Sequence, residues 1–309
     1  MIVGIDAGGT NLRLAVSRRG EPLTEVTEVT EVTEATPLIA AAADDGGPEP
    51  LRTLVATADF DRNAVVSVAA GITKISRAGV GERWEAVLHA LFPQALIQVV
   101  PDFRIAFYGA VPTGVGVSAL AGTGSVMYGE NGDGCAVRVG GRGWEYGDEG
   151  SGAWLTTEVI RRSIRALDGR EETTPLCRAV CDHLGESEDA GKLGEAARCQ
   201  TQALGRGFLV PLLLAHAEAG DGEAANLFVG AAGWIGAQVR TTLRRLAFET
   251  ESRVTIARVG GLWDAGPVLT VPFTQVIRRW YPQAEIRDAD APPLVGALRL
   301  AQQRAVAVR

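Results

Sequence analysis

Apolar positions in the first 140 residues fall into short runs separated by glycine-rich turns, and later into longer helical patterns. Residues 2–6 are apolar up to Asp6, which predicts a buried strand. Asn11 to Ser17 alternates polar and apolar, a period of two that predicts a second strand and not a helix. Arg18 to Pro22 reads as a turn. TEVTEVTEVTEATP, residues 24–37, repeats every three residues. That period matches neither strand nor helix, so its valines cannot all face one core. Its Thr and Val content favours β structure and its Glu suits an exposed edge, so it is expected as an edge strand of weak register.

Further along, 48–58 is expected as a helix after Pro48, 64–71 as a buried strand, Glu82 to Leu91 as a helix and 97–100 as a strand stopping at Pro101-Asp102. The order is then ββ(β)αβαβ. The second half restarts it: strand 116–120, the turn Ala121 to Ser125, and strand 126–129. A strand, a Gly-Thr-containing turn and a strand thus occur twice, an internal duplication at low resolution. Helices are expected from Ala153 to Leu167, Pro175 to Leu184 and Leu204 to Arg245, a strand from Arg253 to Val259 ending at Gly260-Gly261, and a terminal helix over 292–309 with Pro293 in its first turn. Ile105 to Gly129 carries no charge for 25 residues but holds six glycines and Pro112. A membrane helix needs about 20 mostly apolar residues without such breaks. The stretch reads instead as a helix end followed by two buried strands.

The 309 residues suffice for two cores. The formal net charge is −7, which argues against a nucleic-acid partner. Of the 30 basic residues only Lys74 and Lys192 are lysines, the mark of a GC-rich coding sequence. The cysteines Cys135, Cys177, Cys181 and Cys199 form no CxxC pair, and the opening apolar run stops at Asp6, too soon for a signal peptide. Reduced thiols in a cytoplasm, without a membrane partner, are the expectation.

Asp6-Ala7-Gly8-Gly9-Thr10-Asn11 is neither a P-loop nor a dinucleotide fingerprint, because a strand and not a helix follows. A strand–turn–strand still binds phosphate when successive backbone N–H groups form an anion nest. Gly8 and Gly9 allow close approach, Thr10 adds a hydroxyl, and Asp6 is placed to hold Mg²⁺ through water. The plain alternative is an ordinary hairpin turn. Gly122-Thr123-Gly124-Ser125 is weak alone but stronger as its pair: two such hairpins would grip a nucleotide's phosphates from both sides.

Paired phosphate hairpins resemble those of the actin-like superfamily. GGRGWEYGDEGSGAW (140–154), VVPDF (99–103), ARVGGLWDAGPVL (257–269) and PPLVGALRLA (292–301) are similar, in order, to motifs of the BadF/BadG-type ATPase and N-acetylglucosamine kinase family. The resemblance implies an α/β fold of two actin-like (ribonuclease H-like) domains, each a mixed sheet flanked by helices, around an interdomain cleft. The first would span 1–103 and the second 104–309, the terminal helix being able to return to the first. It implies ATP and Mg²⁺ as cofactors, Gly8, Gly9, Thr10, Asn11, Gly122, Thr123 and Gly124 on the phosphates, and Gly260 and Gly261 against the adenosine. Asp102 matches the catalytic base, whose bland alternative is a helix cap. Asp148 matches the sugar-binding Asp, with Ser125, Arg142 and Trp144 beside the substrate, and Asp6 by the metal. Where the family usually has Trp after the Gly pair, this chain has Arg142, with Trp144 two residues on. A guanidinium there suits a substrate carboxylate or phosphate, or pairs outward with Glu145.

The implied activity is ATP-dependent phosphorylation of a hydroxyl on an amino sugar, N-acetylglucosamine or a related hexose. The alternatives are an ATPase that activates an acyl-CoA dehydratase or reductase, for which Cys135 lies near the right region, and a nucleotide sensor without catalysis. Apolar residues of the 204–245 region would serve either a homodimer interface or the core.

Overall fold

The computed structural model describes residues 1–7, 12–18, 28–32 and 49–307. By internal contacts the chain divides into two units, Met1–Val115 with Asp288–Arg309, and Gly116–Arg287. The division falls after Val115, beyond residue 103, and the C-terminal segment belongs to the first unit.

The first unit holds strands β1 (Ile2–Ala7), β2 (Leu12–Ser17), β3 (Glu28–Val32), β4 (Ser67–Ile72) and β5 (Leu96–Pro101) in the order β3-β2-β1-β4-β5. β1, β2 and β3 form an antiparallel meander, while β4 and β5 run parallel to β1. Parallel strands need crossovers. Helix α1 (Glu49–Thr57) lies between β3 and β4, α2 (Val80–Leu91) between β4 and β5, and α3 (Asp102–Ala110) follows β5. The threefold-periodic stretch contributes β3 at the sheet's edge, as its pattern predicts.

Side chains alternate across β1. Val3, Ile5 and Ala7 join one core cluster with Leu51 and Leu54 of α1 and Trp84 and Leu88 of α2. Ile2, Gly4 and Asp6 take the opposite face, where the C-terminal helix α10 (Pro293–Ala307) lies. A Cβ on Gly4 would come within 2.9 Å of the Leu298 amide nitrogen. α10 also packs closely on α3: a Cβ on Gly109 would meet the Pro292 carbonyl at 2.6 Å, and one on Gly296 would strike the Ile105 carbonyl. Backbone on backbone at this spacing leaves no flexible atom to yield. The uncharged stretch from Ile105 thus begins inside a buried helix, whose Ile105 to Ala110 are all buried.

The second unit repeats the plan. Strands β6 (Gly116–Ala121), β7 (Ser125–Glu130), β8 (Ala136–Gly140), β9 (Thr255–Val259) and β10 (Glu285–Asp288) are ordered β10-β9-β6-β7-β8, with β6-β7-β8 an antiparallel meander and β9 parallel to β6. Helices α4 (Gly152–Leu167), α5 (Pro175–Leu184), α6 (Ala190–Leu204), α7 (Val210–Glu218) and α8 (Gly222–Arg245) separate β8 from β9, and α9 (Pro267–Arg278) leads to β10. α5 starts where Thr174 caps the Cys177 amide and Pro175 takes the first turn. The expected helical region 204–245 is two helices, α7 and α8, preceded by α6, which ends at Leu204. Gly205 and Gly220 adopt positive φ at the breaks, and the Asp221 carboxylate accepts the first amides of α8.

Replacing Gly296 with Ala is expected to cost at least about 2 kcal/mol, because both neighbours are backbone. Gly132, with nothing near a Cβ, serves as control and should tolerate Ala within about 0.5 kcal/mol. Thermal unfolding of both variants checks this, and equal midpoints would refute it.

Candidate functional site

In the first unit the strand register gathers the site. Asp6 lies opposite Arg13 on β2 and beside Gly71 on β4, which in turn pairs with Val100 on β5. β1, β4 and β5 run parallel, so their carboxyl ends share one edge, where α/β sheets commonly place ligands. Asp102 leaves that edge as the first residue of α3. Gly71 allows this arrangement, since any Cβ there would occupy the space of the Ile105 side chain. Asp102 is half-buried, and its Oδ1 accepts the Phe103 amide at 2.8 Å.

Asp6 is pushed up to about 6, first by burial, with the nearby Asp102 carboxylate adding to the rise and the Arg13 guanidinium opposing it. A buried carboxylate with a second carboxylate in range is a place that attracts a cation. Among the described residues no three His, Cys, Asp or Glu side chains gather as a metal cage. Two carboxylates in range of each other fit the chemistry of an ion such as Mg²⁺, which keeps several waters and is usually bound by one or two carboxylates together with substrate phosphates. Gly8, Gly9, Thr10 and Asn11 lie outside the described residues, as does the loop 33–37.

In the second unit the turn Gly122–Gly124 joins β6 to β7. Its Gly122 amide donates to the Gly124 carbonyl at 2.9 Å. The Gly152 and Ala153 amides, at the start of α4, donate to the Gly122 and Thr123 carbonyls at 2.9 and 3.1 Å. Two carbonyls that would repel an anion are thereby taken up by the helix. Ser151 caps that helix, its hydroxyl accepting the Trp154 amide at 3.2 Å.

Asp148 adopts left-handed backbone, φ 57°. Its carboxylate accepts the backbone amides of Ser125 and Gly143, which favour the charged form, yet burial outweighs them and raises its affinity for a proton. It lies against the turn: a Cβ on Gly124 would meet Asp148 Oδ2 at 2.8 Å. Ser125 is 2% exposed and donates its hydroxyl to the Glu149 carbonyl at 2.9 Å, which also accepts from Gln238 Nε2 at 3.2 Å. Ser125 therefore fixes the loop rather than offering an open hydroxyl. Gly260, at φ 97°, stands where a Cβ would meet the Ala121 carbonyl at 2.5 Å, and Gly261 opens the 3-10 turn Gly261–Ala265. Trp263 anchors that turn, its Nε1 donating to the Ala119 carbonyl at 2.9 Å.

Arg142 is exposed, and no ion pair joins it to Glu145 among the described residues. Trp144 is 46% exposed, with the Arg206 guanidinium 5.0 Å from its ring centre. Sequence reasoning missed Arg206, which no short motif marks. It also missed Arg13, which the alternation of β2 places opposite Asp6 once the hairpin register is known. Cys135 and Cys199 are exposed, and Cys177 and Cys181 are buried.

Known proteins share this architecture. A solved structure from Chromobacterium violaceum, described as that of a candidate N-acetylglucosamine kinase, superposes with TM-score 0.68 at 25% identity over 97% of this chain and 98% of its own. A glucokinase of the ROK family from Streptomyces griseus, at 18% identity and TM-score 0.53 over 98% and 99%, shows the same fold. In sequence the chain is 24% identical to the N-acetyl-D-glucosamine kinase of Dictyostelium discoideum over 97% of each protein. It is 31% identical to a glucosamine kinase of Vibrio cholerae over 73% of this chain and 74% of that protein. Residues 3–301, all but the two ends, match one family throughout, so the chain with the two meander-led sheets belongs to the BadF/BadG/BcrA/BcrD ATPase family.

Proposed function

We propose that this protein is an ATP-dependent kinase of a free amino sugar, N-acetylglucosamine or glucosamine. The observation that carries the reading is Asp102, a half-buried carboxylate heading α3 at the carboxyl edge of the parallel strands, within electrostatic range of buried Asp6. The names of the relatives, kinases of N-acetylglucosamine and glucosamine, point to the same substrate class.

In this reading Asp102 accepts the proton of the sugar hydroxyl as that oxygen bonds to the γ-phosphorus of ATP. The bond to the bridging oxygen breaks and ADP leaves. Phosphoryl transfer asks mainly for positioning and charge neutralisation. In the second unit, the Gly122–Gly124 turn would offer a phosphate the backbone amides it does not use internally. Gly260 and Gly261 accommodate the adenosine, where a side chain at 260 would be excluded. Mg²⁺ bound near Asp6 would neutralise phosphate charge and restore ionisation to the Asp6 carboxyl. Asp148 takes a sugar diol with the carboxylate surface left beyond its two backbone bonds, and Trp144 and Arg142 flank it. The free cysteines and the need for ATP suit a reducing cytoplasm, and no helix among the described residues is long and apolar enough to cross a membrane.

Asp102→Asn keeps a residue able to begin α3, so its thermal midpoint should stay within a few degrees while kcat for sugar-dependent ADP release falls about 10²- to 10⁴-fold. A loss below tenfold would refute the base. Sugar-independent ATP turnover by the wild type would favour an activating ATPase instead.

Asp6→Asn separates stability from activity. The folded-state value near 6 exceeds the unfolded value near 3.8, so the fold binds the extra proton between these pH values. Stability therefore falls as pH rises through that window. The Asn variant should be more stable than wild type at pH 8, by up to about 3 kcal/mol, and no more stable at pH 3.5. Thermal melts across pH, with a kinase assay showing loss of activity, check both halves. A pH-independent difference would refute the burial argument.

A further inference from the structure

Three residues other than glycine adopt left-handed backbone among those described: Lys74, Asp148 and Ala247. Ala247 follows the end of α8, where such a conformation closes a helix. Asp148 belongs to the site of the second unit. Lys74, at φ 55°, lies in the turn after β4, and nothing in helix capping requires a lysine there. The conformation is unfavourable for an L-residue with a long side chain and is met elsewhere in the chain mainly by glycine.

The backbone around Lys74 fixes its position. β4 runs parallel to β1 with Ala7 opposite Ile72, and the Thr73 amide donates to the Ala7 carbonyl at 3.0 Å. The pairing with β1 therefore continues one step past the strand, and the chain leaves it at Lys74. The Arg77 amide then donates to the Lys74 carbonyl at 3.0 Å and closes the turn. Lys74 thus emerges beside the residue that immediately precedes Gly8, at the edge that carries Asp6 and Asp102. Its side chain is exposed at that edge.

Charge makes the placement consequential. The edge holds two carboxylates, one of them buried, with Arg13 beside it. A triphosphate brought here adds further negative charge. The composition sharpens the point: this chain uses arginine almost everywhere, and Lys74 is one of two lysines. An ammonium is a compact point charge that can follow a phosphoryl group as it moves, whereas a guanidinium fork prefers a fixed planar partner.

We propose that Lys74 contacts the γ-phosphate of ATP and neutralises it during transfer, its strained backbone aiming the ammonium along the carboxyl edge of β1 and β4. Lys74 forms no covalent bond, and the bonds made and broken are those of the kinase reaction. The rate prediction rests on the kinase reading. The binding prediction requires only that the protein bind nucleotide.

The test uses the full chain with Lys74→Gln, Lys74→Arg and Lys74→Gly. Calorimetric titration with Mg-AMPPNP and Mg-ADP should show Lys74→Gln weakening the triphosphate analogue about tenfold while ADP changes less than twofold. In sugar-dependent ADP release, Lys74→Gln and Lys74→Gly should lower kcat about 10- to 10²-fold with the sugar KM within threefold, and Lys74→Arg should recover part of the loss. Lys74→Gly relaxes the backbone, so its thermal midpoint should equal or exceed that of wild type, which excludes misfolding as the cause. A Lys74→Gln variant that loses less than threefold on AMPPNP, or loses equally on ADP, overturns the proposal whatever the sugar assay shows. Absence of sugar-dependent turnover in the wild type, with the AMPPNP discrimination intact, would refute the sugar reading and leave the γ-phosphate contact standing.

Discussion

Burial of the Asp6 carboxyl opposes folding, and much of the first unit can be understood as the arrangement that makes this burial tolerable. The residue is next to last in a strand whose other positions are buried, so its carboxyl is largely drawn out of water with them. Arg13, opposite it on β2, offsets part of the cost. Gly71, beside it on β4, gives Ile105 room to sit on the sheet and thereby brings the head of α3, with Asp102, to the same edge. Gly4 on β1, with Gly109 and Gly296 on the two helices, allows α10 and α3 to close over that face. A soft, hydrated carboxyl would need none of these close approaches. A largely buried one does.

The second unit repeats the strand order with different equipment. Its turn spans three residues between Ala121 and Ser125, where the first spans four between Ala7 and Leu12. The position matching Asp6 in register carries Leu120, so no carboxylate stands at that strand end. Its acid arrives instead from the loop before α4: Asp148 binds the turn through the Ser125 amide. The two sheets thus share a strand order while the charges at their turns differ.

Much of this was legible in the sequence where a local pattern decides the outcome. The apolar run of β1, the alternation of β2 and the Thr174–Pro175 start of α5 each follow from periodicity or capping. The edge strand 28–32 was readable because a threefold period can satisfy no buried face. What escaped depends on tertiary context. α3 was legible only as a helix end in the uncharged stretch: its Ile105 to Ala110 are all buried, and a run buried all round lacks the amphipathic stripe that announces a helix's start. β8 and β10 are short edge strands with partly exposed residues, so burial wrote little pattern into them. The motif around GDEGSG was visible, but its strained Asp148 and the bonds of Ser125 and Glu149 were not, since they join segments far apart in sequence.

These bonds also tie down the loop 140–149. Gly140, at φ 73°, lies against the Gln238 side chain, whose amide nitrogen holds the Glu149 carbonyl from α8. Ser125 holds the same carbonyl from β7, and Gly124 leaves space for the Asp148 carboxylate. Three elements therefore converge on two consecutive acidic residues, and displacement of any one would move Asp148 together with the turn. A carboxylate fixed in this way cannot adapt its position to a new ligand. Under the proposed reading, selectivity then rests on exposed side chains such as Arg142, Trp144 and, stacked on that ring, Arg206. Divergence of substrate within such a family is expected to concentrate at these positions, because changing them leaves the buried bonds of the turn and loop undisturbed.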